Sequence, residues 1–206
     1  MLSEYDKIAV REKSAVSLLE EWGLDNCLGQ VLDPTLLLDS KTWKDLLVSK
    51  HDSQKYANKN YILVYQIHND PKLSDYAKRI ARQTGKELLR VNPYLHQKYR
   101  GGKFICCPDL GEFLALIDNA SCIITDSFHG TCFAINFGKQ FIEILPNNAT
   151  GTRNQSILEL TGLSDRILHD TDDYSLLDKV IDYGKVYEVL VAERRKSLEG
   201  MKSLFI

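Results

Sequence analysis

The sequence predicts an α/β fold, a parallel sheet flanked by helices on both faces. Two observations carry this. Short β-branched and aromatic runs alternate with amphipathic helical stretches along most of the chain. The runs and helices are separated by breaks rich in Pro, Gly and Asp, where a chain leaves one element for the next.

Residues 7–10, Lys-Ile-Ala-Val, are the first expected strand. Ala15, Val16, Leu18, Leu19 and Trp22 then recur at helical spacing, with Gly23 as the stop. Residues 30–32 read as the next strand. Asp33-Pro34-Thr35 ends it, because proline cannot donate to a ladder and restricts the residue before it. The stretch 40–60 is polar and lysine-rich and reads as a linker. Alternation resumes at Tyr61–Tyr65. The stretch 73–84 is amphipathic, with Leu73, Tyr76, Ala77, Ile80 and Ala81 on one face and Gly85 at its end.

Residues 87–91 and 103–107 are further strands, closed by Asn92-Pro93 and Pro108. Asp109 stands at the cap of a helix and Glu112 follows at capping-box spacing. Its buried face is Phe113, Leu114, Leu116, Ile117 and Ala120. The run Cys122–Thr125 is apolar on both faces, as a strand covered on both sides requires. A turn over 126–130, a helix over 131–137 closed by Gly138, and a strand over 141–145 follow. The stretch 147–153 reads as a polar loop. The tail over 187–205 reads as one helix, with Tyr187, Leu190, Val191, Leu198, Met201 and Phe205 on a stripe.

Composition bounds the partners. The 206 residues are 44% hydrophobic and 26% charged, with net charge -2. These are globular proportions, and not the basic footprint of a nucleic-acid binder. No apolar run reaches the roughly 18 residues of a membrane helix. The first residues have no signal-peptide core, so a cytoplasmic location is expected. Cys27, Cys106, Cys107, Cys122 and Cys132 show no C-x-x-C spacing and read as ordinary small residues. His51, His68, His96 and His169 have no metal-ligand spacing, and no metal is expected.

In an open parallel sheet, ligands bind outside the carboxyl ends of the strands. The turn Asp126-Ser127-Phe128-His129-Gly130-Thr131 stands at such an end. Gly130 permits close backbone approach. The N–H groups of Gly130, Thr131 and Cys132, with the Ser127 and Thr131 hydroxyls, form a candidate anion site. His129 is placed to supply a proton at neutral pH. The same residues read equally well as a helix cap with a loop histidine. After the first strand, Arg11 and Glu12 offer a cation to clamp a carboxylate or phosphate, or a plain surface pair. Arg153, in the loop after the last strand, is a further candidate cation. A serine hydrolase is disfavoured, since there is no G-x-S-x-G elbow.

These residues resemble the polysaccharide pyruvyl transferase family. The segment T-D-S-F-H-G-T-C-F-A-I-N-F over 125–137 is similar to its hallmark, and V-R-E-K-S over 10–14, V-L-D-P-T-L over 31–36 and L-S-D-R over 163–166 are similar to further family segments. The resemblance implies a fold of the two-Rossmann GT-B type. It implies transfer of a pyruvyl group from phosphoenolpyruvate onto two hydroxyls of a sugar, in a polysaccharide or its lipid-linked precursor, with release of phosphate. No cofactor beyond that donor is implied. His129 becomes the general acid or base and Asp126 orients its imidazole. Ser127, Gly130 and Thr131 hold the phosphate, and Arg11, Glu12 and Arg153 complete the binding set. The acceptor implies a location peripheral to the inner membrane face.

Family members carry an N-terminal Rossmann half before the V-R-E segment, which here begins at Val10. The resemblance therefore implies a last βαβ of the first half over 1–45, a linker to about 57, and a Rossmann-like second half over 58–206 with a long terminal helix that crosses back onto the first half, the whole completed by a further domain or a second copy. Two other readings stand. A nucleotide-sugar glycosyltransferase of GT-B type is weakened by the absence of a carboxylate from 131–137. A non-catalytic scaffold domain is the other, since fold alone does not decide function.

Overall fold

The computed structural model describes residues 2–146 and 151–202. In chain order the strands are Ile8–Val10 (β1), Cys27–Gln30 (β2), Tyr61–Tyr65 (β3), Glu87–Asn92 (β4), Lys103–Cys106 (β5), Cys122–Thr125 (β6) and Phe141–Glu143 (β7). The α-helices are Lys13–Glu21 (α1), Pro34–Leu37 (α2), Ser40–Leu47 (α3), Lys50–Tyr56 (α4) and Pro71–Thr84 (α5), then Leu110–Asn119 (α6), Phe128–Asn136 (α7), Gly151–Thr161 (α8) and Tyr183–Lys202 (α9). Contacts divide the chain into one unit of residues 1–38, 147–164 and 182–206, and another of 39–146 and 165–181.

In the first unit β1 and β2 pair in parallel, with α1 as the crossover such a pair needs. Gly23 ends α1 in the left-handed region at φ 69°, as its position predicts. The second strand lies at Cys27–Gln30, three residues before the expected 30–32. The pairing shifts register between Ile8 and Val10, and Val31 still donates to the Val10 carbonyl at 2.8 Å. Asp33 then ends the strand by starting a helix: its carboxylate accepts from Thr35 N, and Pro34 fills the first helical position.

The terminal helix, which closes the 58–206 half in sequence, groups with this unit, as a final helix that crosses back onto the first half does. The reason is specific bonding to the segment around α2. Leu32 N donates to Ser197 Oγ at 2.9 Å, and Arg194 Nε donates to the Leu36 carbonyl at 2.6 Å. The helix begins at Tyr183, four residues before the expected 187. Phe205, expected on its stripe, lies outside the described residues.

The second unit is a five-stranded sheet in the order β5-β4-β3-β6-β7, every pair parallel. The chain builds outward from β3 to β4 and β5, then returns to the other side of β3 for β6 and β7. The switch between β3 and β6 is where such sheets bind ligands. One face of the sheet buries Ile62, Val64, Ile124 and Ile142 against Leu73, Tyr76 and Ile80 of α5. On the other, Tyr65 packs edge-on against Phe113 of α6 at 5.0 Å, and Phe113 against Phe133 of α7 at 6.0 Å.

The polar stretch expected to be a linker is instead α3 and α4. Each has its own cap: Asp39 accepts from Thr42 N and Ser49 from Asp52 N. Charges cover the solvent side, while Trp43 meets Phe133 at 5.7 Å and the Tyr56 hydroxyl bonds Glu112 of α6 at 2.7 Å. Glu112 thereby spends its carboxylate on α4 and not on a capping box, although Asp109 caps α6 as expected. The turn over 126–130 is also shorter than expected, since α7 begins at Phe128 and not at 131. Strand β7 stops at Glu143, and α8 occupies the end of the expected 147–153 loop, of which Asn147 to Thr150 lie outside the described residues. Among the described residues no helix is long and apolar enough to cross a membrane.

Arg166 is 1% exposed and donates twice to the Phe141 carbonyl, and to those of Leu176 and Lys179. Replacing it leaves three carbonyls to be re-satisfied. Arg166→Met should lower unfolding free energy by about 3 kcal/mol in urea denaturation; a loss under about 0.5 kcal/mol contradicts this account.

Candidate functional site

Asp126 leaves the carboxyl end of β6 beside the exit of β3. Its carboxylate accepts from Ile67 N at 2.6 Å and His68 N at 2.9 Å, and lies 3.4 Å from His68 Nδ1. The side chain is buried. Burial pushes its carboxyl above the usual range, while the two N–H groups and His68 pull the other way. The imidazole beside Asp126 is therefore that of His68, not the expected His129. The reason is lateral: β6 neighbours β3, so the first residue past β6 faces the first residues past β3.

The rest of the turn is built from close fits. Thr125 Oγ1 donates to the Tyr65 carbonyl at 2.7 Å and accepts from Ser127 N at 3.0 Å. Ser127 caps α7, its Oγ accepting from Gly130 N at 3.4 Å and its carbonyl from Thr131 N at 2.9 Å. The N–H groups of Gly130 and Thr131 are thus committed inside the helix start, where the sequence reading had them open to an anion. A Cβ on Gly130 would stand 2.5 Å from Thr125 Oγ1 and 2.9 Å from the Tyr65 ring. Glycine is required by packing against the protein itself. Thr131 is fully buried, and its hydroxyl meets the Glu143 carboxylate of β7 and the Ser127 carbonyl.

His129 alone of this segment is exposed. Its ring lies 5.6 Å from that of Phe128 and lines a cleft of about 480 Å³ at the carboxyl ends of β3, β4 and β5. The walls are mainly apolar: Tyr65, Pro93, Pro108, Leu110, Phe113 and Phe133, with Cys107 also on the lining. Burial raises the Tyr65 hydroxyl's pKa, with Ser127 opposing. The signal in the sequence that places residues on this rim is the pair of strand ends, Asn92-Pro93 and Pro108. Glu143 carried another signal, a charge inside an apolar strand.

Arg11, Glu12 and Arg153 belong to the first unit. The Arg11 guanidinium pairs with the buried Asp33 carboxylate. Glu12 accepts from Thr152 Oγ1 at 3.0 Å and lies 3.8 Å from Arg153 Nε. Burial tends to raise the Asp33 carboxyl, but the Thr35 N–H and hydroxyl and the Arg11 guanidinium outweigh it and hold it below the usual range. The same unit has a polar cleft of about 340 Å³ lined by Lys13, Ser14, Ser17, Thr152, Gln155 and Glu159, among others. Among the described residues no group of three His, Cys, Asp or Glu side chains is placed to hold a metal ion.

The family model described as polysaccharide pyruvyl transferase matches residues 1–148. No curated protein sequence gives a significant match. Among solved structures, a Listeria monocytogenes protein assigned as a UDP-N-acetylglucosamine 2-epimerase is similar at TM-score 0.61 and 16% identity, over 97% of this chain and 59% of its own. The Methanocaldococcus jannaschii UDP-GlcNAc 2-epimerase, solved with UDP-GlcNAc and UDP, gives 0.57 and 15% identity over 92% and 54%. S. aureus MnaA with UDP gives 0.56 and 17% identity over 95% and 55%. These likenesses show the fold, a parallel sheet flanked by helices of the GT-B kind. The chain spans a little over half the length of the structures it matches.

Two variants test this geometry. Gly130→Ala should destabilise the chain by about 1–3 kcal/mol in denaturant unfolding, because the new methyl meets packed neighbours. A Gly130→Ala protein as stable as the parent refutes the close fit. For Asp33, the folded pKa lies below the unfolded one, so its stabilisation is complete above about pH 4–5 and fades as pH falls through the folded value. The stability gap between parent and Asp33→Asn should be widest at neutral pH and close on acidification, read by urea midpoints across pH.

Proposed function

The chain belongs to the polysaccharide pyruvyl transferase family, and from that premise we propose that it carries the donor side of pyruvyl transfer from phosphoenolpyruvate to a sugar diol. The observation that supports this most is His129, the exposed ionisable group of the family segment, on the wall of a cleft at the carboxyl ends of the strands.

The chemistry asks for a proton at one carbon and a leaving group at the next. In the proposed step, His129 protonates the methylene carbon of phosphoenolpyruvate, turning it into the methyl of the product. The adjacent carbon becomes electrophilic, and one sugar hydroxyl adds to it. That hydroxyl's proton returns the imidazole to its starting state. The second hydroxyl displaces phosphate, which leaves with the second proton, and the ketal closes. One side chain cycling its proton suffices for both halves. No cofactor beyond the donor enters this scheme.

Asp126 acts at one remove in this reading. It holds the exit of β3 against β6, which sets where the first turn of α7 begins. Ser127 and Gly130 serve in the same way, as the cap and the tight fit that aim His129. Arg11, Glu12 and Arg153 are proposed to bind an anion within the first unit. The acceptor is proposed to be a sugar or a lipid-linked oligosaccharide.

The cleft lining supports a second reading. Tyr65, Phe113 and Phe133 make apolar aromatic walls of the sort that ligand pockets use for flat rings. Two of the similar structures hold UDP. A nucleotide-sugar transferase or epimerase reaction is the alternative on the same fold.

Titrations of phosphoenolpyruvate, inorganic phosphate and a uridine diphosphate sugar, followed by calorimetry and amide shifts, separate the two. Preferential phosphoenolpyruvate binding that shifts the amides of Phe128 and His129 supports pyruvyl transfer. Tighter binding of the nucleotide sugar moves the reading to the alternative. With a sugar diol as acceptor, His129→Ala should slow phosphate release about 100-fold or more, and a fully active variant removes the proposed role.

A further inference from the structure

Cys106 closes β5, the edge strand of the sheet, and Cys107 follows it directly. Both are exposed, whereas Cys122 and Cys132 are buried. The Cys106 thiol donates toward the Cys107 sulfur, Sγ to Sγ 3.7 Å, and the Cys107 thiol lies 3.7 Å from the Pro93 carbonyl. Cys107 is the single non-glycine residue with positive φ among the described residues, at 45°, and it does so immediately before Pro108. Prolines push the preceding residue toward extended backbone, so this conformation is imposed against local preference. Such strain concentrates at functional positions. Cys107 also lines the cleft that His129 lines.

We propose that Cys106 and Cys107 form a reversible oxidation site on the wall of the cleft, which thiol oxidants of the peroxide or disulfide class convert to a vicinal disulfide. The inference stands apart from pyruvyl transfer, since it uses only the thiol pair and the cleft wall. Cys107 meets the oxidant from the cleft. With a peroxide, its sulfur takes one oxygen and the other leaves as water. The Cys106 sulfur then attacks that of Cys107, the S–S bond forms, and the second oxygen leaves as water with the remaining protons. Two S–H bonds are lost, two electrons pass to the peroxide, and two waters form. With a disulfide oxidant, Cys107 forms a mixed disulfide and Cys106 displaces the second thiol. Cys106 suits this resolving role, because its sulfur already faces that of Cys107 at 3.7 Å.

The product is labile for a geometric reason. Adjacent residues hold their Cα atoms about 3.8 Å apart, closer than the roughly 4.4–6.8 Å of ordinary disulfides. A strained ring of this kind is readily reduced, the behaviour of regulatory bonds and not of structural ones. Closing it draws the Cys107 side chain toward Cys106 and changes the cleft wall beside Pro108 and Leu110.

The test treats the native chain with diamide, blocks free thiols with iodoacetamide, and maps peptides by mass. The expected result is a peptide holding both cysteines that has lost two hydrogens, carries no alkyl group, and returns to the alkylatable form after dithiothreitol. Cys106→Ser and Cys107→Ser should each abolish that species. Alkylation of both thiols after diamide, or coupling of either one to Cys27, overturns the proposal. Phenylarsine oxide, which bridges two close thiols with loss of water, provides a second probe: one phenylarsine on the parent and none retained on either serine variant is expected, and equal retention on all three overturns the pairing. The link to the cleft is read from amide spectra of oxidised and reduced protein. Shifts at Leu110 and His129 are expected, and spectra unchanged at both positions overturn that link.

Discussion

A buried carboxylate at the switch between β3 and β6 organises the second unit. Asp126 is nearly inaccessible, and an unpaired charge there would cost several kcal/mol. Its needs are met by two backbone N–H groups from the exit of β3 and by the His68 ring. That arrangement ties the ends of two neighbouring strands together just past the sheet. Thr125, bonded to the Tyr65 carbonyl, repeats the tie one residue earlier. The start of α7 is seated on those two ties, with Gly130 against Thr125 and Tyr65. His129 is exposed because everything around it in the turn is committed inward.

The exit of β3 is held from its other side by a buried cation. Arg90 of β4 is fully buried and donates to Gln66 Oε1 at 3.0 Å, Ser74 Oγ at 3.3 Å and the Gly101 carbonyl at 3.2 Å. Burial pulls its pKa down to about 10, with Arg100 adding to the fall and Asp126 opposing it. Gln66 in turn donates to the Asp70 carbonyl, and its own carbonyl accepts from Asn92. The loop that carries the partners of Asp126 is therefore fixed by polar groups of β4 and α5.

The charged residues of the first unit are organised differently. Arg11 faces Asp33, and Glu12 faces Thr152 and Arg153. These contacts join segments that are distant in the chain and give the family's V-R-E and D-P-T segments a structural role: the arginine of one pairs with the aspartate of the other. An anion binding there would compete with Asp33 for Arg11. The two units thus carry different chemistry, paired ions in the first and an exposed imidazole on an apolar cleft in the second.

The α/β class, most strands of the sheet and the turn that bears His129 were all legible in the sequence. They follow from hydrophobic period and from caps such as Asp109, which act over three or four residues. Sequence and structure part where the deciding partner lies far along the chain. Thr131 and Gly130 looked open to a ligand because Glu143 and Tyr65, their actual neighbours, come from other strands. Asp126 was assigned to the nearby His129, yet its partners are 58 and 59 residues away. The stretch 40–60 reads as a linker because its charges dominate, while Trp43 and Tyr56 find their packing on α6 and α7. Local chemistry determined which segments are strands and helices and where a reactive side chain could sit. Only tertiary packing decided which side chains are spent holding the turn and which one remains exposed, since burial and hydrogen bonding across strands depend on neighbours that sequence order does not reveal.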